Sequence, residues 1–315
     1  MKKLHIIQLI LFTCSSFMLT SCKNPIKESV WKDESKVNIV TTTTMITDLV
    51  QQIGGDKVEL IALMDHKIDP HGYQQTSEDT IALDTADVIF YNGLHLEAKM
   101  QKGLEFKASK GESVYTVTSD IPSDKLLNDE GERDPHVWGD PQIWMQSINI
   151  VAKALIKADP DNTELYKTNA NQYLTTLKEL DAWAEKRVAE IPEQQRVLIT
   201  AHDAFQYFAT RYGFEVRALQ GLSSADEASI KSVSDLTEFI KQRKIKTIFA
   251  ETTTNDKGIA KVASEAGASI NETPLYADAC GPLGEMKEVN GEKYDVGTYT
   301  GMIKHNINTI VDALK

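Results

Sequence analysis

Between residues 161 and 190 the chain runs without a glycine or a proline. Leu165, Tyr173, Leu177, Leu180 and Trp183 recur there at helical spacings. Asp161-Asn162-Thr163-Glu164 offers an N-cap with a carboxylate three residues on. A helix of about 28 residues would be roughly 42 Å long. That is long for one small domain and suits a rod that joins two bodies.

The sequence on either side of this stretch alternates. On the N-terminal side, β-rich runs at 37–42, 58–64, 87–91 and 113–117 are interleaved with helical stretches at 45–53 and 77–84. Gly54-Gly55 ends the first of these helices. An amphipathic helix is expected over 141–158, stopped by Pro160. On the C-terminal side, strands at 196–200, 214–219, 247–250 and 269–272 alternate with helices at 204–211, 230–243 and 257–267. A closing helix covers 298–314. Alternation of this kind implies parallel sheets. The predicted fold class is α/β: two βα lobes with parallel sheets, joined by one long rigid α-helix. The N-terminal lobe takes residues 37–160, the linking helix 161–191 and the C-terminal lobe 192–315. No close sequence repeat relates the lobes, and no segment is of low complexity.

The N-terminus decides the compartment. Lys2 and Lys3 precede a mostly apolar stretch, 4–21, that carries no Asp, Glu, Lys or Arg. Residues 1–21 therefore read as a secretory signal peptide. It ends in Leu19-Thr20-Ser21-Cys22, which resembles the lipobox of bacterial lipoproteins, where Cys22 is acylated and becomes the new N-terminus. Residues 22–36 are polar and read as a tether. The body is expected outside the cytoplasm, lipid-anchored to a bacterial membrane. Losing Lys2 and Lys3 takes the formal charge from −12 to −14. Such acidity argues against nucleic acid and against a broad electrostatic grip on an anionic bilayer. Of three cysteines, Cys14 leaves with the signal and Cys22 carries lipid, so Cys280 is left alone and no intrachain disulfide is expected.

Three of the seven histidines share a context. His71 lies in Asp69-Pro70-His71 after the second strand, and His136 in Asp134-Pro135-His136 after the fourth. His202 follows the 196–200 strand directly. Parallel sheets bind ligands outside the carboxyl ends of their strands. A lone histidine is usually structural, but three at strand ends, two in the same triplet, point to a shared site. Proline restricts the backbone and would hold the imidazole's aim. Asp69 and Asp134 could accept the second ring N–H, fix the tautomer or cap the next helix. Asp278 also follows a strand and is the fourth candidate. Imidazole suits zinc and its neighbours, and a carboxylate extends the range towards manganese.

Several segments together resemble the zinc and manganese receptors of ABC importers, the TroA-like and MntA-like solute-binding proteins. They are Asp69-Pro70-His71, the stretch Tyr91-Asn92-Gly93-Leu94-His95-Leu96-Glu97, Asp134-Pro135-His136-Val137-Trp138, His202-Asp203-Ala204-Phe205-Gln206-Tyr207-Phe208 and Tyr276-Ala277-Asp278. They occur in that family's order and cover essentially everything after the tether. The resemblance implies ligands His71, His136, His202 and Asp278 in the cleft between two lobes joined by a rigid helix. It implies a monomeric receptor that binds Mn²⁺ or Zn²⁺ and delivers it to an ABC permease. The third ligand of such receptors is His or Glu, so His202 leaves zinc open. Dedicated zinc members often carry a His-rich acidic loop before the second ligand, and 121–134 is short and has no histidine before His136. That tilts the reading towards manganese, or manganese and zinc together.

The remaining residues have plainer expectations. His95 reads as structural, His66 as solvated and His305 as a surface residue of the last helix. Cys280 reads as a small buried side chain. Glu251, at a strand end, either supports a ligand or holds the fold. Affinity is expected to fall as pH drops through the ordinary histidine pKa near ~6.5. The long helix implies small closure by loops near Asp278. The rival readings are a zinc-dependent hydrolase or lyase using the three histidines, and a metal-binding adhesin. Against an enzyme, a fourth ligand closes the coordination sphere, and there is neither a well-placed general base nor a Gly-x-Ser-x-Gly nucleophile. No feature of the sequence supports an adhesive surface.

Overall fold

The computed structural model describes residues 30–33, 35–129 and 131–315. The expected signal peptide, Cys22 and most of the tether lie outside the described residues. The tether's described end is packed on the N-terminal lobe. Trp31 is buried, its indole N–H donates to Thr85 Oγ1 at 3.0 Å, and Glu59 accepts from the backbone N–H of Lys32 and of Asp33, both at 2.9 Å. An indole gains from burial once its N–H has a partner, so ordered packing starts before residue 37.

Val37–Thr41 (β1), Val58–Ala62 (β2), Val88–Tyr91 (β3) and Val114–Thr116 (β4) form a parallel sheet in the order β2-β1-β3-β4. All of β1 is buried, as expected of a strand covered on both faces. Helices Thr44–Gly54 (α1), Ser77–Thr85 (α2) and Ala98–Ser109 (α3) belong to this lobe. Thr76 and Asp79 open α2 with a reciprocal capping box. The sequence pattern missed α3, which buries only Met100 and Leu104 and so has almost no apolar stripe. A short hairpin, Asn128–Asp129 (β5) and Glu132–Arg133 (β6), leads into the segment of His136. The helix expected over 141–158 is two helices, Pro141–Trp144 (α4) and Ser147–Ala158 (α5). Between them, Gln146 N donates to Ile143 O and Ile148 N to Met145 O, three residues back, which tightens the chain and breaks the ladder.

The long helix is Thr163–Val188 (α6), 26 residues, entered through a 3₁₀ turn at Pro160–Asn162. The expected cap does not form. Asn162 turns its amide back to Asp159 Oδ2, and Thr163 donates its hydroxyl to Pro160 O, each at 2.7 Å. In the second lobe Val197–Thr200 (β7) pairs with Glu215–Ala218 (β8) beyond helix Gln206–Tyr212 (α7). Helix Ile230–Arg243 (α8) leads to Thr247–Ile248 (β9), and Lys257–Ala266 (α9) to its partner Ser269–Ile270 (β10). Phe249 N donates to Ile199 O at 2.9 Å and joins the pairs in the order β8-β7-β9-β10, the order of the first lobe. Met286–Val289 (β11) and Glu292–Asp295 (β12) form a hairpin turned by Asn290 and Gly291, with φ 54° and 80°. Its Asn-Gly turn was a readable signal that the strand assignment passed over. Tyr299–Leu314 (α10) closes the chain.

The long helix packs against α1, α4 and α5 of the first lobe and against α10 of the second. One buried core runs through all of these, from Leu49 and Trp144 through Leu177 to Tyr299 and Ile307, and each lobe keeps a smaller core of its own. At the junction sits a buried carboxylate. Asp48 of α1 accepts from Tyr173 Oη of α6 at 3.0 Å, from Tyr299 N of α10 at 3.1 Å and from Gln52 Nε2 at 3.0 Å. A carboxylate at a helix N-terminus also meets the positive end of its dipole. Burial nevertheless pushes the Asp48 carboxyl above the usual range. No helix among the described residues is long and apolar enough to cross a membrane.

Asp48→Ala orphans three donors and is expected to cost about 2–4 kcal/mol of stability in urea unfolding. A loss below about 0.5 kcal/mol would show that the three-helix junction does not depend on it.

Candidate metal centre

Both sheets change direction beside their first strand, between β1 and β3 and between β7 and β9. Such switch points form crevices at the carboxyl ends of strands, and here the two crevices face each other. His71 comes from the loop after β2, His136 from the segment after the β5–β6 hairpin, His202 from just past β7, and Asp278 from the loop after the bridge between Glu251 and Leu275. The structure brings all four together, with one ligand-capable atom of each lying within 4.8 Å of the others. They are 7%, 0%, 0% and 1% exposed in chain order. The Nε2 atoms of His71 and His136 are 3.2 Å apart. Asp278 presents Oδ1 to His136 Nε2 at 3.4 Å and Oδ2 to His202 Nε2 at 3.2 Å. His202 Nε2 and Asp278 Oδ1 are buried with no properly directed hydrogen bond among the described residues. The donor atoms converge on a shared point and are poorly aimed at one another.

Two carboxylates fix the rings from behind. Asp134 Oδ1 accepts from His136 N at 2.9 Å and lies 2.7 Å from its Nδ1. Glu251 Oε1 accepts from the backbone N–H of Ala201 and His202 at 2.9 and 3.0 Å, and its Oε2 bonds His202 Nδ1. Both arrangements turn Nε2 into the site. Asp69 behaves differently: its Oδ1 accepts from the backbone N–H of His71 at 2.9 Å and leaves the ring alone.

Other positioning residues were not singled out from the sequence. Glu97 is buried and accepts from Asn92 N at 2.7 Å, Gly93 N at 3.1 Å and Thr42 Oγ1 at 2.6 Å. Gly93, Leu94 and His95 all have positive φ, and this sharp turn lets Glu97 fold back under the two N–H groups. Asn92 so held donates to Pro135 O at 3.1 Å, next to His136. Asn306 of α10 brackets Tyr276, accepting from its N–H at 2.9 Å and donating to its carbonyl at 2.7 Å, two residues before Asp278. Trp138 Nε1 donates to Ala277 O at 2.8 Å, tying the two ligand segments across the cleft. Asn92, Glu97 and Trp138 lie in segments that carry the family resemblance, which did not by itself give their roles, and Asn306 lies outside those segments.

The other histidines stay out of the cluster. His66 is half-buried, and His95 is exposed on the wall of the cleft that leads to His71. His305 is no surface residue: it is buried against Tyr276, ring centroids 4.7 Å apart, with Nε2 3.1 Å from Pro274 O. Cys280 is buried as expected; burial pushes its thiol far up, and its N–H donates to Thr44 Oγ1 at 2.7 Å.

The electrostatics separate the imidazoles. Burial pushes His71 down to about 3. Burial opposes charge on His136 too, but Asp134 and Asp278 overcome it and take it up to about 9. His202, likewise buried, is held well above its usual value by Asp278 and Glu251. Against its own burial, the Asp278 carboxyl is held well below the usual range by His202, His136 and His71. Without an ion, then, the carboxylates favour the protonated form of His136 and His202, while burial favours neutral His71.

A family model described as ZnuA, zinc-uptake complex component A, periplasmic, matches residues 39–313. The manganese-binding lipoprotein MntA of Bacillus subtilis is 38% identical over 308 residues, 96% of each chain. The zinc-binding protein TroA of Treponema pallidum is 40% identical over 287 residues, 89% of this chain and 90% of that one. A solved structure of the periplasmic zinc-binding protein TroA from Treponema pallidum superposes with a TM-score of 0.83 at 39% identity, covering 89% of this chain and 99% of that one.

Asp134→Asn is expected to lower the His136 pKa from about 9, read from the imidazole nitrogens by NMR in the metal-free protein. A value that stays near 9 would remove Asp134 as the cause.

Proposed function

The chain belongs to the ZnuA family of periplasmic zinc-uptake components, and on that footing we propose that it is an extracytoplasmic lipoprotein receptor that captures Mn²⁺ or Zn²⁺ and delivers it to the permease of an ABC importer. The observation that carries the reading is the convergence of four buried side chains, His71, His136, His202 and Asp278, with His202 Nε2 and Asp278 Oδ1 lacking a properly directed hydrogen bond among the described residues. Buried polar atoms are rarely left so without a ligand to satisfy them. Three imidazoles and a carboxylate suit both ions. The relatives' names divide between manganese and zinc, so the shared ligand set does not choose between them. Four protein donors also fill a sphere that a catalytic zinc keeps open for water, which favours capture over hydrolysis. Asp134 and Glu251 act as orienting groups, and Asp69 acts on the backbone of His71.

The mature chain is anchored by lipid on Cys22 and works as a monomer, with an N-terminal lobe at 37–160 that Trp31 extends, the linking helix at 161–191 and a C-terminal lobe at 192–315. The description of the family as a component of an uptake complex supports a membrane partner. The buried core shared by both lobes and α6 supports a receptor that opens by loop movement rather than by a wide hinge.

Loading has to displace the protons on His136 and His202, whereas His71, at about 3, is already neutral at pH 7. Raising the pH therefore favours the loaded form, and the window extends up to about 9, above the ~6.5 of a free imidazole. Calorimetric titration of residues 23–315 with Mn²⁺ and Zn²⁺ is expected to give one tight ion per chain and about two protons released per ion at pH 7. Tight binding should be lost in His71→Ala. An affinity flat between pH 6 and 9 would show that loading displaces no proton from His136 or His202, and absence of tight binding by either ion would sink the receptor reading. In cells, Cys22→Ala should shift the protein out of the membrane fraction; retention there would refute the lipid anchor.

A further inference from the structure

Of the four grouped side chains, His71 is the most exposed, and it lies at the inner end of a cavity of about 320 Å³. One wall of that cavity, Leu94, His95, Asp129, Glu132, Arg133 and Pro135, belongs to the first lobe. The other, Gly221, Leu222, Ser223 and Asp226, is the loop that follows β8 in the second. The cavity opens from His71 between these two walls, and the second wall, between β8 and α8, contains no regular element.

The loop is wired to ligand segments of both lobes. On its own side, Gln220 N donates to Ala201 O at 3.0 Å and Asp203 N donates to Gly221 O at 3.1 Å, so the residues either side of His202 hold its base. Gln220 Nε2 then reaches forward to Ser224 O at 3.2 Å and shapes the turn. On the far side of the cleft, Ser224 Oγ donates to Asp69 Oδ2 at 2.7 Å. Asp69 uses its other oxygen, Oδ1, to hold the backbone N–H of His71. One carboxylate thus joins the loop of one lobe to the ligand of the other. His136 and His202 each have a carboxylate on the ring and almost no exposure, whereas the His71 ring has none and its backbone is held by an Asp69 that also bonds the opposite lobe.

We propose that the Ser224–Asp69 hydrogen bond is a cross-cleft latch that holds His71 in place and sets how slowly the captured ion leaves. The proposal rests on the receptor reading and deepens it: Ser224 is a positioning residue acting through Asp69, and breaking this one bond frees the loop from the first lobe and lets His71 withdraw. A permease that pulls on the 220–226 loop would open the site from the side of its exposed ligand, with the lobes still packed.

The test is the rate at which a chelator in excess strips Mn²⁺ or Zn²⁺ from the loaded protein, followed by stopped flow. A hydrogen bond to a charged group in this setting corresponds to about a tenfold change. Ser224→Ala is therefore expected to release the ion about tenfold faster, with the association rate unchanged. Ser224→Thr, which keeps the hydroxyl, should restore the slow rate. In an Asp69→Ala background, Ser224→Ala should have no further effect. Unchanged release in Ser224→Ala, a loss confined to association or to metal-free stability, or a full effect in the Asp69→Ala background would each overturn the latch. Wild-type protein that bound neither ion would overturn the receptor reading and the latch together, whereas tight wild-type binding with unaltered release in Ser224→Ala removes the latch alone.

Discussion

A carboxylate buried as deeply as Asp278 has to be neutralised where it stands. In this fold the neutralising charge comes in one of two forms. Without an ion it is protons on His136 and His202, whose pKa values are raised by the carboxylates around them. A dication held by the same four residues would supply that charge in place of the protons. Protons sit on separate rings, whereas an ion would be shared by all four side chains, whose ligand-capable atoms already lie within 4.8 Å of one another. Asp134 and Glu251 keep two of those rings aimed in either state.

Much of this was legible in the sequence, for identifiable reasons. The long helix could be read because nothing between residues 161 and 190 breaks a helix, although its start is a 3₁₀ turn with local side-chain bonds in place of the expected capping box. The strands could be read because buried parallel strands are apolar runs. The four clustered residues could be read because three lie beside strand ends in repeated local contexts. The roles of Asn92 and Asn306 could not be identified this way, since what makes them matter is a backbone group supplied by a distant part of the chain; that of Glu97 depends on a turn of positive φ through which it folds back on Asn92 and Gly93. His305 was misread for a related reason. It shares a helix with Asn306, and both look solvent-facing until the loop from Pro274 to Asp278 is laid across them.

The junction under the site follows the same logic as the site itself. Asp48 is a buried carboxylate that three donors from three places hold, and it fixes the first turn of α10 to α1 and the long helix. Helix α10 then clamps Tyr276 through Asn306, and Tyr276 leads to Asp278. The position of the one carboxylate donor is thereby set from the first lobe, through two polar contacts and a helix. This is why a ligand on a loop can be as well placed as one at a strand end: each of its backbone groups is accounted for by something rigid.

The two sheets share a strand order although their sequences show no close repeat. Each lobe contributes two of the four donors, and each holds its own pair largely with its own residues: Asp134 and Asn92 in the first, Glu251 and Asn306 in the second. The centre is thus assembled from two half-sites, each with ring or backbone supports of its own and joined across the cleft by a few hydrogen bonds. Divergence can act on one half at a time: an exchange at a single strand end in one lobe alters the donor set while the other lobe keeps its own pair. A scaffold of this kind can drift between cargoes by single steps, without an intermediate in which the whole pocket has been lost.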